Sequence, residues 1–135
     1  MKRTAFTMIE LVFVIVVLGI LAAIAIPRFA ATRDDAHLAK GRSDVAAIRA
    51  GIVSERQSRL LKGETNYVAA LDDGDPLFEN VMQYGIKAQA GNGHWQKNGN
   101  NYTFTIMGSG NTFEYNSTGG TFNCTSGTYC SQLTD

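Results

Sequence analysis

From Phe6 to Ile26 the chain runs 21 residues in which only Thr7, Glu10 and Gly19 are not plainly apolar. As a helix this run is about 31 Å long, close to the hydrocarbon thickness of a bilayer. No other segment limits the fold as strongly, because so oily a stretch must sit in lipid or against other apolar surface. Lys2 and Arg3 precede it; Pro27 and Arg28 follow. The basic pair favours a cytoplasmic N-terminus, although Arg28 and Arg33 reduce the asymmetry. A secretory signal peptide has the same outline, and Ala23-Ile24-Ala25 has the form of its cleavage site. The run is longer than the roughly 7–15-residue core of such signals, and it encloses a carboxylate.

That carboxylate, Glu10, is expensive. At a bilayer centre it costs on the order of 3 kcal/mol. No cation lies one helical turn away, at Phe6, Phe13 or Val14. In an isolated chain Glu10 can sit shallow and reach the headgroups. In an assembly it needs a partner.

Pro27 lacks an N–H and crowds the carbonyl four residues earlier, so a helix through it should kink or loosen. Beyond it Leu38, Val45, Ile48, Ile52 and Leu60 recur at nearly helical spacing, with charged residues largely on other faces. The pattern predicts one helix from about Phe6 to Leu61, kinked or partly melted around Gly19–Pro27 and stopped by Lys62-Gly63. Glu55 and Arg59 are spaced to pair. The stripe should pack against a small head; it is short and glycine-marked for a coiled-coil seam. Gly41 and Gly51 each cost the helix roughly 1 kcal/mol relative to alanine.

After a connector from Glu64 to Asp75, the order Asp75-Pro76 predicts a capped short helix over Pro76–Met82. The aspartates of "DDGDP" suggest calcium, but their spacing is not that of an EF-hand. From Gly91 onward the pattern is an antiparallel meander. Its strands fall around Tyr102–Met107, Phe113–Tyr115 and Thr121–Cys124, with turns at Gly108–Asn111 and Ser117–Gly120. His94-Trp95 begins a preceding strand, and Trp95 should lie against the long helix as core.

The formal net charge is zero, so there is no broad basic field, and Lys87, His94 and Lys97 are too few to make a nucleic-acid patch. No catalytic constellation is visible. The two histidines are far apart in sequence, and there is neither a phosphate-binding glycine loop nor zinc-ligand spacing.

"AFTMIELVFVIVVLGILAAIAIPRF", Ala5 to Phe29, resembles the N-terminus of type IV pilins and type II secretion pseudopilins, the class III prepilin type. The short basic leader, Phe6, Thr7, Glu10, Gly19 and Pro27 fall in register with that family, over about 25 of 135 residues. The resemblance implies an α+β, pilin-like fold: a long N-terminal helix, half transmembrane and half amphipathic, packed on a small antiparallel sheet. It implies a cleaved leader (1–5), a transmembrane or filament-core helix (6–27), an amphipathic helix (28–62) and the remainder of a globular head (63–135). A prepilin peptidase would cut between Ala5 and Phe6 and methylate the new amine of Phe6. The family's usual residue before the cut is glycine; here it is Ala5. The amine has an ordinary pKa of about 7.7–8.0 and is largely protonated near neutrality. It supplies the partner Glu10 lacks: in a staggered filament, Glu10 of an incoming subunit meets the Phe6 amine of a neighbour and sets the axial register.

By the same resemblance the chain is a non-enzymatic filament subunit for protein secretion or DNA uptake. It would start as a single-pass protein of the bacterial inner membrane, head in the periplasm. Partners would be further copies, minor subunits, the prepilin peptidase and the assembly ATPase and platform. No cofactor is implied, apart from the calcium that major pseudopilins bind in the head; their ligands do not map onto these aspartates. Cys124 and Cys130 would pair as a disulfide in an exported head. Asn101, Asn116 and Asn123 begin N-x-S/T triplets, and Glu114-Tyr115-Asn116-Ser117-Thr118 resembles the acidic-extended acceptor of some bacterial glycosylation systems. The alternatives are a membrane-anchored enzyme with a discontinuous site and an exported binding module.

Overall fold

The computed structural model describes residues 5–135. Met1–Thr4, which carry most of the expected leader including Lys2 and Arg3, lie outside the described residues. The chain forms two compact units, the first ending at Asp35 and the second comprising Ala36–Asp135. Helix α1, Met8–Leu61, contains Pro27 and is unbroken from Gly19 to Pro27, so the partly melted alternative expected there does not hold.

In the first unit the large apolar side chains from Phe6 to Phe29 are exposed. This part of α1 is long and apolar enough to cross a membrane. The helix begins at Met8 rather than Phe6 because Thr7 is its cap: the Leu11 N–H donates to the Thr7 carbonyl at 3.2 Å, the first helical bond.

The second unit places the remainder of α1 on a four-stranded antiparallel sheet. The strands are β1 (Trp95–Asn98), β2 (Asn101–Ile106), β3 (Ser109–Asn116) and β4 (Thr121–Ser126), in spatial order β1-β2-β3-β4. A short helix α2, Cys130–Thr134, follows. Alternation sends Tyr102, Phe104 and Ile106 inward from β2, and Thr103 and Thr105 outward. Phe113, Phe122, Trp95 and Phe78 join them, Phe113 stacked on Phe122 at 5.0 Å and Phe78 edge-on to Trp95 at 5.4 Å. Val45, Ile48 and Ile52 of α1 close this core.

Trp95 is fully buried, as the sequence suggests, and its indole N–H donates to Asp44 of α1 at 3.0 Å. Arg49 ties the same helix to the chain end, donating to the Phe122 carbonyl at 3.0 Å and the Thr134 carbonyl at 3.5 Å. Cys124 and Cys130 form a disulfide that joins β4 to α2.

Four other expectations fail. No helix spans Pro76–Met82. Leu77 instead bridges Ile86, donating and accepting backbone bonds at 2.7 and 2.8 Å, while Phe78 drops into the aromatic core with a left-handed φ of 64°. Core burial of Phe78 overrides the local capping pattern. The turn between β2 and β3, expected at Gly108–Asn111, is Met107-Gly108, both with positive φ, so Ser109–Asn111 belong to β3. A two-residue turn of this hand follows the twist of the strands better than the longer loop. Leu60 is exposed, because α1 turns it about 80° from Ile52 at 3.6 residues per turn. Arg59 pairs with Glu64 at 2.7 Å, not with Glu55, and donates to the Asn66 carbonyl, drawn to the chain where it leaves the helix.

Gly41 and Gly51 of α1 have a packing reason. A methyl at residue 41 would strike Phe104 and Leu133, and one at residue 51 the Val81 carbonyl. Gly51→Ala is therefore expected to destabilise the head by about 1–3 kcal/mol, even though alanine favours the helix. A thermal melt checks this; a raised melting temperature would refute the close-approach reading.

Candidate assembly site

The first turn of α1 brings Thr7 and Glu10 together. The Thr7 N–H donates to Glu10 Oε2 at 2.9 Å, and the Thr7 hydroxyl to the same oxygen at 3.1 Å. The Glu10 N–H points back at Thr7 Oγ1, 3.3 Å away. This reciprocal arrangement is a capping box, in which two of the four orphan N–H groups at a helix start are satisfied by side chains. The signal was local: a threonine three residues before a glutamate, ahead of an apolar run. All three bonds lie downstream of the Ala5–Phe6 junction, so removing the leader would leave them intact.

The carboxylate is thus engaged within its own chain at the positive end of the helix dipole, which lowers the cost of carrying it among apolar residues. Phe6 is 87% exposed and stands one residue before the cap. Gly19 and Pro27, the expected kink positions, both lie within the helix, and a Cβ on Gly19 would meet nothing within 4 Å.

The acidic cluster of the head is dispersed in use. Asp72 is buried and accepts from Lys97 Nζ at 2.6 Å, the Tyr102 hydroxyl at 2.7 Å and the Phe78 N–H at 3.3 Å. Burial alone would raise its pKa; the Lys97 and Tyr102 bonds, the Phe78 N–H and the lysine charge outweigh that and hold it below the usual carboxylate range. The Tyr102 hydroxyl is pushed up by burial and by the carboxylate it serves. Asp75 accepts from the Ala88 N–H at 2.9 Å. Among the described residues no group of three or more His, Cys, Asp or Glu side chains is placed to hold a metal. Of Lys87, His94 and Lys97, Lys97 is committed to Asp72.

Residues 1–26 match the family described as the prokaryotic N-terminal methylation motif. The chain is 49% identical over 49 residues to the type IV narrow pilus major component PilA5 of Thermus thermophilus, a match covering 36% of this chain. It spans 42% of that relative, less than half its length. No solved structure matches the chain. The motif match, the similarity to a pilus component and the capped helix of lipid-spanning length coincide on one stretch: the chain opens with a prokaryotic N-terminal methylation motif, similar to the N-terminus of a type IV pilin.

Proposed function

We propose that the chain is a structural subunit of a type IV-family filament, drawn from an inner-membrane pool after cleavage between Ala5 and Phe6 and methylation of Phe6. The observation that carries this reading is the exposure of the apolar α1 segment, Phe6 at 87%, Ile9 at 77% and Phe29 at 70%, around one capped carboxylate. Such a surface must be covered. Lipid covers it before assembly, and the same segment of other copies covers it in a filament core. The head, with its disulfide, faces the periplasm. The pilus component among the similar proteins favours a pilus over a secretion pseudopilus. The prepilin peptidase, minor subunits and the assembly ATPase with its platform are the partners this route requires.

Intact mass of the membrane-extracted protein tests the reading. The expected mass lacks Met1–Ala5 and carries one added methyl on Phe6. A mature chain beginning at Ile26, or an uncut chain, refutes it and leaves an exported or simply anchored protein.

A further inference from the structure

One of the three N-x-S/T triplets is presented unlike the others. Asn116 is the last residue of β3 and opens the connection to β4; it is exposed, as are Ser117, Thr118 and Gly119. Its Oδ1 accepts the Thr118 N–H at 2.9 Å and the Gly119 N–H at 3.3 Å. The amide nitrogen Nδ2 has no hydrogen-bond partner among the described residues, and the held oxygen fixes its direction. Glu114, two residues earlier on the same strand, shares the outward face with Asn116 and is exposed too. Glu114, Asn116, Thr121, Asn123 and Thr125 line one shallow polar groove on that face.

The other triplets lack this presentation. Asn101 leads directly into buried Tyr102 within β2. Asn123 lies inside β4, its Oδ1 accepts from Arg49 at 3.4 Å, and the next residue is the disulfide-bonded Cys124. A transferase needs a segment it can lift into its own site. Residues 117–119 of the β3–β4 connection qualify, since they are exposed and a Cβ on Gly119 would meet nothing nearer than Thr121 at 3.8 Å, while Gly120, packed on Tyr67, anchors the far end.

We propose that Asn116 is an N-linked acceptor for an oligosaccharide delivered from a polyprenyl-diphosphate donor. Nδ2 forms a bond to the anomeric carbon of the sugar. The carbon–oxygen bond to the diphosphate breaks, the diphosphate leaves with the electron pair, and one amide proton passes to a base of the transferase. The Thr118 hydroxyl and the Glu114 carboxylate are the recognition groups flanking the amide. The inference rests on the proposed export of the head, and membrane anchoring would place acceptor and lipid-linked donor in the same membrane. The glycan would project from the polar outer face and leave the aromatic core untouched.

Intact mass and glycopeptide sequencing of the protein from the cells that make it are the test. The parent should carry a discrete glycan increment on the peptide containing Asn116. Asn116→Gln and Thr118→Val should lose it, Thr118→Ser should keep it, and Glu114→Gln should lower its occupancy. An increment that survives Asn116→Gln means sugar linked elsewhere, at Ser117, Thr118, Asn101 or Asn123, and overturns the proposal. So does an unmodified mass in chains that have lost their leader. Because leader loss is read in the same spectrum, failure at Asn116 is distinguishable from failure of the filament reading.

Discussion

Glu10→Gln should abolish filament formation, or reduce it severely, while leaving leader cleavage intact. The substitution is informative because a capping box accepts glutamine as well as glutamate. The bond from the Thr7 N–H, 2.9 Å in the parent, can be made by an amide oxygen. Cap and helix start therefore survive, and only the charge is removed. If Glu10 also pairs across subunits with the Phe6 amine, the glutamine variant leaves that ammonium unpaired in an apolar core, a cost of several kcal/mol. The complementary change is Thr7→Val, which keeps the charge and removes the hydroxyl that donates to Glu10 at 3.1 Å. It should cost about 1 kcal/mol of helix-start stability and still allow assembly. The measurement is filament yield at matched levels of processed subunit in the membrane. Should Glu10→Gln assemble like the parent while Thr7→Val does not, the carboxylate is a helix cap and the register argument is wrong.

How much of this was readable in advance depended on the range over which each feature is encoded. The long helix and the meander follow from periodicity, because Val45, Ile48 and Ile52, or Tyr102, Phe104 and Ile106, each report one face of one element. The Thr7–Glu10 box is equally local, yet the sequence reading missed it by seeking a cation for Glu10; the threonine three residues before the glutamate was the signal. The Pro76–Met82 segment misleads for the opposite reason. Its capping pattern is sound, but the burial of Phe78 beneath Trp95 and Tyr102 depends on strands that come later in the chain. Gly51 looked like a defect in the helix until Val81 was placed against it. The Asp72–Lys97 pair is beyond any local pattern, since it joins the connector to β1 across 25 residues.

That pair carries the second large effect. Lys97→Met should lower the melting temperature of the head strongly near neutral pH. The Asp72 side chain is 0% exposed and Lys97 is 30% exposed, so removing the lysine leaves a buried carboxylate with only the Tyr102 hydroxyl and the Phe78 N–H. Breaking a buried pair costs about 3–5 kcal/mol; partial solvation of Lys97 places this one near 3 kcal/mol. For a domain of this size that corresponds to a drop of more than about 10 °C. The effect has a pH signature. In the parent, Asp72 is held below its unfolded value of about 3.9, so its contribution is complete above that pH and is lost as pH falls through the folded value. In Lys97→Met, burial meets less opposition and the folded pKa rises, so the carboxylate protonates earlier on acidification. The gap between parent and variant should be widest at neutral pH and close as pH falls through the variant's raised folded value and then the parent's lowered one. Lys97 Nζ also lies over the Tyr102 ring, 5.5 Å from its centroid. A gap of constant size at every pH would show that this packing, rather than the ion pair, is what the substitution removed.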